Sequence, residues 1–212
     1  MPDFESKHIT VEKTARFHHR SIENPNSTWM IAHGYGMLST YFAKKFSALP
    51  EDCQLLIPEG LHRFYLEGNG GRVGASWMTK EERETDIQDY LAYLNKLFAA
   101  FQADKPLIAF GFSQGVATIC RWVTQAHIKP AHLVLWAGVV PPDMNPLAWD
   151  DICASTPITV FVGNKDPYRT PQHDAMYQQL QDRGKSVEII EYEGSHRVDS
   201  ERLLQWHTQQ GF

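Results

Sequence analysis

Cysteine is scarce in this chain: Cys53, Cys120 and Cys153 are the only three in 212 residues. An odd number at wide spacings fits neither a disulfide framework nor a metal-ligand pattern, so three buried thiols are expected. Long apolar runs are missing too. No stretch of about 18 apolar residues occurs, and the opening "MPDFESKHIT" lacks the apolar segment of a secretory leader, so a cytoplasmic protein without stable membrane insertion is expected. Positive charge is not in excess either. The net charge is −5, which gives no electrostatic attraction to nucleic acid or to an anionic membrane. With no internal repeat, low-complexity tract or Gly/Ser/Pro linker, residues 1–212 read as one domain with a substantial core. The ten histidines show no paired spacing around a glutamate, and the neighbours His18 and His19 fall on opposite faces of a strand, so no metal site is expected.

What is present is alternation. "TWMIAHG" (28–34), "CQLLIPEG" (53–60), "PLIAFGF" (106–112), "HLVLWAG" (132–138), "ITVFVGN" (158–164) and "SVEIIEY" (186–192) read as strands. "KTARFHHRS" reads as an early, half-exposed one. Between them, "EERETDIQDYLAYLNKLFAAF" places Ile87, Tyr90, Leu91, Leu94, Leu97, Phe98 and Phe101 at three- and four-residue steps, the spacing of a helix with one buried face. "QGVATICRWVTQ", "PQHDAMYQQLQDRG" and "DSERLLQWHTQQ" continue the series. Nearly continuous apolar strands alternating with helices predict an α/β fold with a mostly parallel sheet covered on both faces. In such sheets ligands bind beyond the carboxyl ends of the strands, so the loops after each strand are where chemistry is sought.

Ser113 stands at one of those ends. "GFSQG" follows a buried strand and opens a helix, the context that turns G-x-S-x-G from a chance match into a nucleophile elbow. A turn tight enough to expose the serine crowds its neighbours, and Gly111 and Gly115 carry no Cβ to clash. A serine hydroxyl needs a base to become nucleophilic. His196, in "YEGSHRVDS" between the last strand and the last helix, is placed to be that base; His62 is a minor competitor in a loop. An acceptor must fix the imidazole tautomer. Asp166, in "VFVGNKDPY", gives the chain order Ser113, Asp166, His196 expected for this architecture, with Asp143 as runner-up. The glycines of "HGYG" free the backbone after an early strand to present an N–H to an oxyanion. That donor is assigned to Tyr35, and a second to Gln114, both through the main chain, so that their side chains matter less.

Taken in order, "HGYG", "GFSQG", "GNKDP" and "GSH", with "ASWM" at 75–78, resemble the small lidless α/β-hydrolases of the phospholipase/carboxylesterase group, which includes the acyl-protein thioesterases. The resemblance runs over about residues 28–207. It implies the α/β-hydrolase fold with little or no lid, Ser113, Asp166 and His196 as catalytic residues, and the Tyr35 and Gln114 N–H groups as oxyanion hole. Met37 stands where members of that group often carry Asp.

The reading that results is a serine hydrolase cleaving carboxylic esters or thioesters of small to medium acyl groups through an acyl-enzyme, with no cofactor. The loop Leu61–Met78 should overhang the site. Phe64, Tyr65 and Trp77 are candidate walls and Arg72, with Arg63, a candidate anion contact; Trp136, Val139 and Val140 are further wall candidates. Lysophospholipase or acyl-protein thioesterase activity, or a catalytically silent binding protein on the same fold, are the alternatives. The expected partner is a small-molecule substrate, with a homodimer left open.

Overall fold

A computed structural model describes residues 4–101, 104–183 and 186–211. Strands β1 (Phe17–Arg20), β2 (Ser27–Ala32) and β3 (Cys53–Pro58) open the main sheet, with the short helix α1 (Ser39–Phe42) and a 3₁₀ turn (Ala43–Phe46) between β2 and β3. A hairpin, β4 (His62–Tyr65) and β5 (Val73–Ser76), forms a separate two-stranded sheet. Then follow α2 (Arg83–Phe101), β6 (Leu107–Phe112), α3 (Gln114–Gln125), β7 (His132–Trp136), α4 (Pro146–Ser155), β8 (Ile158–Gly163), α5 (Pro171–Arg183), β9 (Val187–Tyr192) and α6 (Ser200–Gln210). The seven-stranded sheet has the order β1-β3-β2-β6-β7-β8-β9, with only the edge strand β1 antiparallel.

The apolar runs make this sheet because they feed two cores at once. In β6, Leu107 and Ala109 face the α2–α3 side with Met30, Leu133 and Val160, while Ile108, Phe110 and Phe112 face the opposite side with Trp29, Trp136 and Phe161. Successive side chains of a strand point to opposite faces, so a strand buried on both must be apolar throughout. The edge strand β9 is less completely buried, with Glu188 and Glu191 exposed and Val187, Ile189 and Ile190 only partly buried. The helix expected over 81–101 forms from Arg83, with Ile87, Tyr90, Leu91, Leu94 and Leu97 buried and Phe98 and Phe101 partly so. All three cysteines are buried and unpaired. The helix expected at 171–184 ends with the described residues at Arg183; Gly184 lies outside them.

Three elements go beyond the sequence reading: α1 with its 3₁₀ turn, the β4–β5 hairpin and α4. The segment 61–78 is not an overhanging loop but a hairpin whose Gly-rich turn joins strands of four residues each. α4 begins with Asn145, whose side chain accepts from the Ala148 N–H, followed by Pro146 in the first turn. Both are strong helix-start signals.

Candidate active site

Ser113 sits between β6 and α3 with φ 53° and ψ −118°, a conformation a side chain rarely adopts. Its surroundings hold it there. The Ser113 N–H donates to the Trp136 carbonyl (2.9 Å) and the Val116 N–H donates to the Ser113 carbonyl (3.0 Å). A Cβ on Gly111 would lie 2.5 Å from the Gly115 carbonyl oxygen, and one on Gly115 only 2.2 Å from that of Ala32. The flanking glycines are therefore required by backbone packed against backbone.

His196 stands over the serine. Its Nε2 is 3.0 Å from Ser113 Oγ and its Nδ1 is 2.7 Å from Asp166 Oδ2. A carboxylate can only accept, so the proton lies on Nδ1 and Nε2 is left to accept from the serine hydroxyl. The Asp166 carboxylate is almost fully buried, and its other oxygen accepts from the Tyr168 N–H at 2.8 Å. The rings of Phe112 and Tyr168 lie 4.9 and 4.7 Å from the His196 ring and flank it. The competing acid and base are engaged elsewhere. Asp143 binds Arg121 (2.8 Å) and Arg83 (2.6 Å); burial would raise its carboxyl, but these bonds pull it down to about 2. His62 is paired with Asp86 at 3.0 Å.

The "HGYG" turn is held from three sides. His33 is fully buried; its Nδ1 lies 2.7 Å from the Gly34 carbonyl and its Nε2 accepts from the Gly60 N–H at 2.9 Å. Burial lowers this imidazole to about 4, against the opposing influence of the Gly34 carbonyl and of Glu59, so it is a neutral brace with its proton on Nδ1. The Trp77 indole donates to the His33 carbonyl at 2.9 Å. The Gly36 N–H donates to Ala75 (2.9 Å) and the Ala75 N–H to Met37 (3.1 Å), joining the turn to β5. Neither the Tyr35 nor the Gln114 main-chain N–H has a hydrogen-bond partner among the described residues, which leaves both available for an incoming oxygen.

A cavity of about 670 Å³ opens over Ser113 and His196, walled by Tyr35, Ala117, Val139, Val140, Tyr168 and His173 among others. Several of the expected walls are elsewhere. Trp77 has no exposed surface; it packs on His33 and Tyr90 and belongs to the core, because its indole is needed to pin the turn. Trp136 is likewise buried and stacks on Phe161 at 4.1 Å. Arg72 is paired with Glu67 and lines a different cavity, beside Met37 and Lys45. Arg63 is drawn to the buried Glu59. Tyr65 is half exposed and outside the cavity lining, whereas Phe64 reaches the site indirectly, its ring 5.1 Å from that of Tyr35. Val139 and Val140 are lining residues as expected.

Sequence reasoning passed over three contributors. Tyr168 follows Asp166 in "DPY" and flanks the imidazole; nothing local distinguishes it from a turn aromatic. His173 lines the cavity from the first turn of α5, where its Nδ1 lies 2.7 Å from the Thr170 hydroxyl. The third is the Gln114 side chain, expected to matter little. Its Oε1 accepts from the Trp77 N–H (3.1 Å) and its Nε2 donates to the Met78 carbonyl (2.9 Å) and to Ser76 Oγ (3.1 Å), tying the segment after β5 to the nucleophile turn.

Residues 24–205 match the family described as serine hydrolase (FSH1). No curated protein sequence matches significantly. Among solved structures, acyl-protein thioesterase 2 of Zea mays superposes with a TM-score of 0.72 at 19% identity, covering 92% of this chain and 99% of that one. A carboxylesterase of Bacillus cereus gives 0.66 at 14% identity over 92% and 94% of the two chains. A phospholipase/carboxylesterase of Dyadobacter fermentans gives 0.64 at 16% identity over 94% and 97%. These likenesses place the chain in the α/β-hydrolase fold.

Proposed function

The chain belongs to the FSH1 serine hydrolase family, and from that premise we propose that it cleaves carboxylic esters or thioesters through an acyl-enzyme on Ser113, with His196 as base and Asp166 as its partner. One observation carries the reading: a single imidazole is hydrogen-bonded to the serine hydroxyl on one side and to a buried carboxylate on the other. Ser113 Oγ attacks the acyl carbon while its proton passes to His196 Nε2. The charge that develops on the carbonyl oxygen is received by the main-chain N–H groups of Tyr35 and Gln114, where one such donor typically contributes about 3 kcal/mol to the transition state. The tetrahedral intermediate collapses by breaking the bond to the leaving oxygen or sulfur, which takes the proton from His196. Water then attacks the acyl-enzyme, giving a proton to His196; the freed acid leaves and that proton restores the Ser113 hydroxyl.

Asp166 keeps the imidazole in the tautomer this sequence needs and stabilises the imidazolium that forms in each half. Water and the chain's own groups supply every proton. The test is hydrolysis of a p-nitrophenyl ester series beside Ser113→Ala. Turnover by the native chain and its loss in the variant are expected. A native chain that turns over no ester yet reacts with a fluorophosphonate at Ser113 has an activated serine and a different substrate. Failure of both would leave a binding protein on a hydrolase fold.

A further inference from the structure

The segment "TPQH", Thr170 to His173, has the form of a helix start. Pro171 takes the first helical position of α5, and the His173 and Asp174 N–H groups donate to the Thr170 carbonyl at 2.9 and 3.4 Å. His173 reaches back: its Nδ1 accepts from the Thr170 N–H at 3.2 Å and lies 2.7 Å from the Thr170 hydroxyl. This is the reciprocal cap that glutamate or glutamine usually closes at the same place. A main-chain N–H can only donate, so Nδ1 accepts and the ring proton sits on Nε2. That N–H has no hydrogen-bond partner among the described residues, and it belongs to a ring that lines the cavity over Ser113. The cap needs an acceptor alone. Histidine adds a fixed donor on the other side of the same ring.

The rest of the cavity decides what such a donor would meet. Among the described residues no Asp, Glu, Lys or Arg lines it, and Ala117, Val139, Val140, Pro141 and Pro142 give it an apolar wall. Ser113 and His196 are bonded to each other, and the Gln114 carboxamide is occupied by Trp77, Met78 and Ser76. The hydroxyls of Tyr35 and Tyr168 can turn to donate or to accept, whereas His173 Nε2 only donates. In an apolar cavity a few placed polar groups set specificity. Without a cation nearby, a carboxylate would lose more hydration there than one neutral N–H returns, but a ketone, ether or hydroxyl oxygen loses little and gains a partner. We propose that His173 Nε2–H binds a neutral oxygen of the substrate, so that esters or thioesters carrying a second, uncharged oxygen function are preferred over their plain alkyl counterparts. The inference rests on the acyl-enzyme reading and names a substrate class for it.

Esters paired so that they differ at one chain position test this. One series sets p-nitrophenyl esters from hexanoate to decanoate beside analogues in which a ketone replaces one chain methylene at successive positions beyond the fourth carbon. The other sets acetyl esters of primary alcohols beside analogues in which an ether oxygen replaces one methylene. The kcat/KM ratio of oxygenated to alkyl ester is compared in the native chain, His173→Leu and His173→Gln; glutamine keeps a cap acceptor and a donor, leucine neither. At one or two adjacent positions the native ratio should exceed the leucine ratio by about fivefold, the worth of one neutral hydrogen bond, and glutamine should recover most of it. The series that shows the excess tells whether the acyl or the alcohol part carries the oxygen. Ratios that are equal in native and leucine chains throughout, or that shift by one factor at every position as a mere change of wall polarity would make them, overturn the role of His173 while leaving Ser113 in place. The same pairs built as fluorophosphonates give the ratio from labelling rates in a chain that turns over no ester. Neither turnover nor labelling would overturn both readings.

Discussion

Replacing Gln114 by alanine separates what its side chain does from what its main chain does. The carboxamide contributes one acceptor, to the Trp77 N–H, and a donor shared between the Met78 carbonyl and Ser76 Oγ. The Met78 carbonyl keeps the Ser76 hydroxyl, 2.8 Å away, whereas the N–H of the fully buried Trp77 is left unpaired. A buried donor without a partner costs about 1–3 kcal/mol, and each lost bond about 1 kcal/mol net. The expected destabilisation is about 3 kcal/mol, or roughly 6–12 °C in melting temperature for a chain of this size. Gln114→Glu should fare no better, since a carboxylate accepts from Trp77 but opposes the Met78 carbonyl. Thermal and urea unfolding of both variants measure this. A Gln114→Ala midpoint within about 0.5 kcal/mol of the native value, the scale of an ordinary surface change, would refute the bracing role.

Two further outcomes are expected. Asp166→Asn should lower kcat by about 10⁴ because the amide can hold the imidazole in the wrong tautomer; steady-state kinetics that stay within tenfold of the native chain would remove Asp166 from the mechanism. Stability should fall on mild acidification: burial lowers both His33 and His132 from 6.5 to about 4, so between these values the unfolded chain binds more protons than the folded one. Their contribution is whole above about pH 6.5 and is lost toward pH 4, by up to roughly 3 kcal/mol each. Glu59 adds a loss at lower pH. Burial favours its neutral form, but bonds from Arg16, Arg63 and Ser39 hold it at about 2 instead of 4.5. Urea midpoints measured from pH 7.5 to 4.5 test this, and a flat profile would contradict it.

The sheet was legible because a strand buried on both faces must be apolar throughout, and 107–112 or 158–163 carry no competing pattern. Ser113 and His196 were legible for a related reason. Each lies at a strand end, and topology alone brings such ends together. Trp77 was not. A tryptophan beside a glycine-rich segment reads equally well as a cavity wall or as a core anchor, and only the indole bond to the His33 carbonyl decides. Arg72 and Arg63 failed as anion contacts because Glu67 and Glu59, neighbours in sequence, already neutralise them. The hairpin 62–76 escaped notice because four-residue strands around several glycines carry too few apolar positions to show a period. α4 did carry a signal, Asn145 followed by Pro146, that a closer reading of helix starts would have caught.

The turns around Ser113 and the walls of the cavity above it stand on different kinds of backbone, which is why one was readable and the other was not. The backbone around Ser113 and the turn after β2 are packed so tightly that no side chain fits at their glycines. A Cβ on Gly138 would meet the Ser113 carbonyl oxygen at 2.5 Å, and one on Gly74 would meet that of Gly36 at 2.4 Å. Such crowding is what allows the unusual conformation of Ser113 to persist, since relaxing it would drive backbone into backbone. It also leaves a trace in the sequence, because only glycine satisfies it. The cavity walls obey no comparable constraint. Val139 and Tyr168 are substantially exposed, and the loop that carries Val139 to Met144 is fastened to the body through Asp143, which Arg121 of α3 and Arg83 of α2 hold from behind. A loop anchored at that carboxylate can change its apolar residues without disturbing the glycine-packed turns around Ser113.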